Sequence, residues 1–105
     1  RKKWLAFFPE PTGTLVIDEG ACQAILQDGK SLLARGLVSF QGNISRAGVV
    51  TIENPGGETI ARGICRFSLD ELEQVQGKNN ADILALFPAR TRAEVVHRDH
   101  LAPLL

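Results

Sequence analysis

Four side chains in this chain could in principle hold a metal: His97 and His100, three apart, and the two cysteines Cys22 and Cys65. Tetrahedral zinc favours such nitrogen and sulfur donors, usually in closely spaced pairs such as C-x-x-C. Here the cysteines stand alone in apolar surroundings, one in an expected helix and one in an expected strand. The reading is therefore a pair of reduced, buried thiols, with His97 ending a strand and His100 just beyond it. No metal or other cofactor is assigned to the chain.

The other chemistry-bearing patterns resolve into structure in the same way. His97-Arg98-Asp99 carries the order of a phosphotransfer catalytic loop, but that loop needs an asparagine five residues after the aspartate, and position 104 is Leu104. Ser31, Ser39, Ser45 and Ser68 lack the G-x-S-x-G elbow that exposes a nucleophile. Asn54-Pro55-Gly56-Gly57-Glu58 has no lysine for a phosphate and reads as a hairpin turn. Asp70, Glu71 and Glu73 read as a solvated helix face. Seven arginines (Arg35, Arg46, Arg62, Arg66, Arg90, Arg92 and Arg98) could converge on one face and suit a phosphate backbone. No catalytic residue is assigned.

The elements that would position these residues follow from caps and periodicity. Lys3–Phe8 is an expected strand closed by Pro9-Glu10-Pro11, and Thr14–Ile17 a second. Asp18 is placed to cap a helix that buries Cys22, Ile25 and Leu26 and stops at Gly29. Leu37–Gln41 is read as a strand with Val38 and Phe40 on one face. Val49–Glu53 and Glu58–Phe67 form a hairpin, with Ala61, Gly63, Cys65 and Phe67 on one face and Ile60, Arg62, Ile64 and Arg66 on the other. Ser68 to Glu71 is a capping box opening a helix that ends at Gly77. A short helix over Ala81–Phe87 and a closing strand over Glu94–His97 complete the chain.

The composition frames these elements. At 105 residues, with 44% apolar and 23% charged side chains, the chain is read as one domain with its own core. Twelve basic and 12 acidic residues cancel, so net charge provides no general pull towards nucleic acid or anionic lipid. Aromatic content of 6% is too low for a base-stacking platform. No apolar run nears the about 20 residues of a membrane span, so no membrane partner is expected. With no methionine, the chain reads as a piece of a longer, cytoplasmic protein.

Taken together, these residues carry a resemblance. Gly13–Gly42, with Asp18-Glu19-Gly20-Ala21, Ser31-Leu32-Leu33 and Gly36, resembles the opening of a PUA domain, a small pseudo-barrel RNA-binding module. Arg1-Lys2-Lys3-Trp4, Gly42-Asn43, Ile60-Ala61-Arg62-Gly63, Phe67-Ser68, Gly77-Lys78 and Val96-His97-Arg98-Asp99 extend the match to the version that closes bacterial glutamate 5-kinases. Ala34, Phe67, His100 and the Arg46-Ala47-Gly48 step depart from the usual pattern. The resemblance implies a mainly β fold with small helices, a pseudo-barrel of mixed, mostly antiparallel strands over residues 1–105. It also implies a catalytic amino-acid-kinase domain N-terminal to Arg1 that uses ATP and Mg²⁺ to phosphorylate L-glutamate. Expected partners are that kinase domain and a homo-oligomer of the parent, with RNA as the alternative. The implied contact surface maps to Gly20, Ala21 and Gly36, and Arg35 and Arg98 complete the candidate RNA or partner surface.

Overall fold

A computed structural model describes residues 10–104; the expected Lys3–Phe8 strand and the Arg1-Lys2-Lys3-Trp4 match lie outside the described residues. Strand β1 (Gly13–Ile17) leads into helix α1 (Glu19–Leu26), a one-turn 3-10 helix at Ala34–Gly36 and strand β2 (Leu37–Gly42). Strands β3 (Val49–Glu53) and β4 (Thr59–Ile64) follow, then helices α2 (Leu69–Val75) and α3 (Asn80–Leu86). A second 3-10 turn, Arg98–His100, precedes strand β5 (Leu101–Pro103). The strands form one sheet in the order β2-β1-β3-β4-β5. Among the described residues only β1 and β3 run parallel, and the other strand pairings are antiparallel. This is the mixed, mostly antiparallel α+β arrangement expected.

The helix starts follow from their caps. Asp18 Oδ1 accepts the Ala21 N–H at 2.8 Å, and Ser68 and Glu71 exchange the two bonds of a capping box. Asn79, unremarked in the sequence, caps α3 by accepting the Asp82 N–H at 2.8 Å. Gly57, at φ +87°, completes the hairpin turn in which Asn54 Oδ1 accepts both the Gly56 and Glu58 N–H groups. Leu15, Ile17, Ile25, Val50, Ile52, Phe67, Leu72, Val75 and Ile83 form the heart of a single core.

Two bulges and one misplaced strand correct the sequence reading. Ile17 pairs with Leu37 and Val16 with Ser39, so Val38 is an extra residue in β2. The inner face of β2 is therefore Leu37 and Phe40, while Val38 is 51% exposed. In β4, Ala61 pairs with Ile52 and Thr59 with Glu53, which leaves Ile60 without a partner in β3 and lets it join Ala61 in the core. The segment Glu94–His97 makes a single bridge, Leu32 to Val96, and the closing strand is β5, paired with β4. Gly63 sets that path: a Cβ there would stand 2.6 Å from Val96 Cγ1 and 3.0 Å from His100 O.

Glu71 is not on a solvated face, as its neighbours Asp70 and Glu73 suggested. It is buried, and its carboxylate accepts the Ser68 N–H at 2.8 Å and Arg46 Nε at 2.9 Å. The Arg46 guanidinium grips it through a second nitrogen, and an Arg90 nitrogen lies 3.5 Å away. Arg90 in turn donates to Arg66 O and lies 4.0 Å over the Phe67 ring. One carboxylate thus ties the α2 cap to the β2–β3 loop and to the segment after α3. The Arg46 hydrogen bond, opposed by burial and helped by the Ser68 N–H, lowers the Glu71 carboxyl to about 2.

Ala47 adopts φ +65°, a left-handed backbone that costs a residue with a Cβ about 1–2 kcal/mol. It is held there because its N–H donates to Cys65 O at 2.8 Å while Gly48 O accepts the Cys65 N–H. Ala47→Gly is expected to stabilise the fold by about 1 kcal/mol, seen as a raised midpoint in chemical denaturation; an unchanged or lowered midpoint counts against the strain.

Glu71→Gln should cost about 1–3 kcal/mol, because Arg46, Arg90 and the Ser68 N–H lose a charged acceptor at a buried position. Since the folded carboxyl titrates below the unfolded one, its stabilisation is complete above about pH 4.5 and fades as pH falls towards 2. Denaturation at several pH values should show the wild type losing stability through that window and the variant losing less. Parallel acid limbs would refute the assignment.

Candidate functional site

The N-terminal end of α1 packs against the 3-10 turn at Ala34–Gly36, and the contact is close. A Cβ on Gly36 would lie 2.6 Å from the Ala21 Cβ, so only glycine allows this approach. The Asp18 N–H donates to Gly36 O at 2.9 Å, which fastens the start of the helix to the turn. Beside this seam runs an open groove of about 600 Å³. Gly20, Ala21, Arg35 and Gly36, four of the five residues named for the candidate surface, line it together.

Arg98, the fifth, is brought to the rim rather than into the groove. It opens the 3-10 turn before β5, and its backbone N–H donates to the groove residue Ser31 Oγ at 2.8 Å. Sequence reasoning missed Ala24, Lys30, Leu33 and Glu94, which also line the groove. Lys30 directly follows the helix-stopping Gly29, so its place was readable from the cap. Nothing local marks Glu94, which arrives from a segment distant in sequence.

The groove carries both signs of charge, with Lys30 and Arg35 set against Asp18 and Glu94. Glu94 Oε1 is buried and has no hydrogen-bond partner among the described residues. Glu94 also borders a second, shallower cleft of about 400 Å³, where Arg92, Asn80 and Thr91 sit. Four of the seven arginines have distinct settings: Arg35 lines the groove, Arg92 the second cleft, and Arg46 and Arg90 are held by Glu71.

The cysteines and histidines have structural places. Cys22 and Cys65 are buried free thiols, and Cys65 Sγ donates to Phe67 O at 3.2 Å. Burial, then the carboxylates of Glu19 and Asp18, push the Cys22 thiol up, and burial raises Cys65 to about 11. Both are thus held as thiols at neutral pH, the opposite of an activated nucleophile. His97 caps the 3-10 turn, its Nδ1 accepting the Asp99 N–H at 3.1 Å, and its ring lies 6.1 Å from that of His100. Among the described residues no group of three or more His, Cys, Asp or Glu side chains is placed to hold a metal ion. No described helix is long and apolar enough to cross a membrane.

The family model described as PUA domain matches residues 13–87. Over 101 residues the chain is 45% identical to a protein named glutamate 5-kinase from Aliivibrio salmonicida, covering 96% of this chain and 27% of that protein. It is 42% identical, over all 105 residues, to the glutamate 5-kinase of Desulfitobacterium hafniense, of which it spans 28%. The chain therefore covers little more than a quarter of the curated relatives it matches. Among solved structures it superimposes on a PUA domain from Aeropyrum pernix K1, in complex with tartrate, with a TM-score of 0.57, 26% identity, and coverage of 81% of this chain and 41% of that one. A chain of an archaeal box H/ACA sRNP complex shares the fold, with a TM-score of 0.60 at 22% identity over 84% of this chain and 24% of its own.

The seam at Gly36 makes a direct prediction. Gly36→Ala should destabilise the chain by about 1–3 kcal/mol by forcing the turn away from α1. Adding Ala21→Gly should return part of that loss even though glycine alone weakens a helix. A double-mutant cycle by denaturation measures the coupling. Strictly additive effects would mean that the two positions do not touch.

Proposed function

The chain belongs to the PUA family, and from that premise we propose that it is the non-catalytic, C-terminal module of a glutamate 5-kinase. In this reading a catalytic amino-acid-kinase domain precedes Arg1 and transfers phosphate from ATP, with Mg²⁺, to the γ-carboxylate of L-glutamate, opening proline biosynthesis in the cytoplasm. The module's work is regulatory and structural: it tunes that domain or the oligomer that the parent forms. The observation that carries this reading is the alignment of all 105 residues with the glutamate 5-kinase of D. hafniense at 42% identity.

The groove supports a protein-facing role. Lys30 and Arg35 are balanced by Asp18 and Glu94, whereas a surface tracking phosphates favours an excess of cations. RNA is the second reading, favoured by one observation: Gly20, Ala21, Arg35 and Gly36 line a single groove, with the Arg98 backbone at its rim. Both readings leave catalysis to the rest of the parent enzyme.

The test compares the intact glutamate 5-kinase with a form cut just before this module. Glutamate phosphorylation should survive the cut, while proline inhibition, Mg²⁺ dependence or oligomer size changes. Identical kinetics and assembly would defeat the regulatory reading. A titration of the intact enzyme with tRNA completes the comparison. The RNA reading requires binding that weakens steeply with salt and falls on Arg35→Glu, and no binding at low salt rejects it.

A further inference from the structure

The residues that leave α1 carry a chemistry that no part of the proposed function uses. Asp28 is the one aspartate or asparagine in the chain that is followed by glycine. Both Asp28 and Gly29 are exposed, and they lie beyond the Gln27 cap. A Cβ built on Gly29, which adopts φ +62°, would meet no atom within 4 Å. Beyond its chain neighbours, nothing crowds Gly29 where a side chain would stand, and it has no side chain of its own to hinder its backbone nitrogen.

We propose that Asp28-Gly29 is a site of spontaneous aspartate isomerisation, an inference that stands apart from the glutamate 5-kinase reading and does not rest on it. The Gly29 amide nitrogen attacks Cγ of Asp28; the new C–N bond closes a five-membered succinimide as water leaves and the amide proton is lost. Water then opens the ring at one of its two carbonyls. One opening restores aspartate, and the other leaves an isoaspartate whose main chain runs through Cβ and Cγ. The water lost is regained, so the product has the composition of the starting chain and no oxidant or reductant takes part.

The other aspartates and asparagines are less favourable, since Asn79 is fixed as the cap of α3, Asn80 opens that helix, and Asp99 lies in the 3-10 turn and precedes His100. Asp18 is fixed as a helix cap and precedes Glu19, while Asp70 and Asp82 lie in α2 and α3. Asn43 precedes the β-branched Ile44, and Asn54 precedes Pro55, whose nitrogen carries no hydrogen. Only at Asp28 do exposure, an unencumbered nucleophile and a place outside the helical ladder coincide. The Lys30 N–H bond to Ala24 O, at 3.0 Å, is the tether that bounds the turn on its far side. The product matters for the groove: isoaspartate adds a backbone carbon just ahead of Lys30 and Ser31, both of which line it. Ser31 is also the acceptor for the Arg98 N–H.

The intact protein, kept native in heavy-oxygen water at mildly alkaline pH, should take up one heavy oxygen per event in the peptide containing Asp28. In ordinary water that peptide should split into two peaks of equal mass. The new peak should accept a methyl group from an isoaspartyl methyltransferase. Asp28→Glu, at an exposed position, should abolish the label and the second peak while leaving the fold intact. The proposal is overturned if the native protein leaves Asp28 unlabelled while the excised peptide converts, or if Asp82 converts as fast as Asp28.

Discussion

A missing side chain at Gly36 is the constraint on which this fold's surface depends. The α1 end and the 3-10 turn approach until a Cβ at position 36 would sit 2.6 Å from that of Ala21. That proximity lets the Asp18 N–H reach Gly36 O, so the residue that caps α1 also fixes where β2 begins. β1, α1, the turn and β2 become one unit, and the groove is the space left along its seam. Ala21 and Gly36 are small because the backbones must meet, and the surface they leave is open for the same reason.

The segment that floors this groove is held at four points. Gly36 O accepts from Asp18, Ala34 O accepts from Gly77 after α2, Leu32 exchanges bonds with Val95 and Val96, and Ser31 Oγ accepts from Arg98. A stretch with little regular structure is therefore ordered by tertiary hydrogen bonds from three parts of the chain: the start of α1, the end of α2 and residues 95–98. Glu71 does the same on the other side of α2. There a buried carboxylate is tolerated because two guanidinium groups and a backbone N–H surround it. Arg90, at 14% side-chain exposure, is withdrawn from the surface by this cluster, whereas Arg46 stays largely exposed while it holds the carboxylate.

Legibility tracked the range of the interaction. Asp18, Ser68 with Glu71, Gly29, Gly77 and the Asn54–Gly57 turn act over a few residues, and the structure places all of them as the sequence implied. Alternation in β2 and β4 misled, because each strand carries an extra residue at a bulge, and Val38 and Ile60 exchange the faces that a strict period of two gives them. Glu94–His97 has the β-branched pair of a strand, yet it makes one isolated bridge to Leu32 and accepts a further backbone bond, from Arg66 N–H to Val95 O. The pairing with β4 is taken by Leu101–Pro103, which can approach because Gly63 has no side chain. In the groove, Gly20, Ala21 and Gly36 were reachable through the family resemblance, and Arg35 through the set of arginines that could meet a phosphate. Lys30 was reachable only through its neighbour Gly29, and Glu94 had no local signal.

By itself the sequence determined the helix starts and stops, the hairpin, the family resemblance and the neutrality of the chain, since caps, turns and charge are properties of short windows. Tertiary structure alone decided the bulges, the true last strand, the burial of Glu71 and the arrival of Glu94 beside Lys30 and Arg35. Each of those depends on which distant backbone or charge comes within hydrogen-bonding distance, and no short window of residues contains that distance.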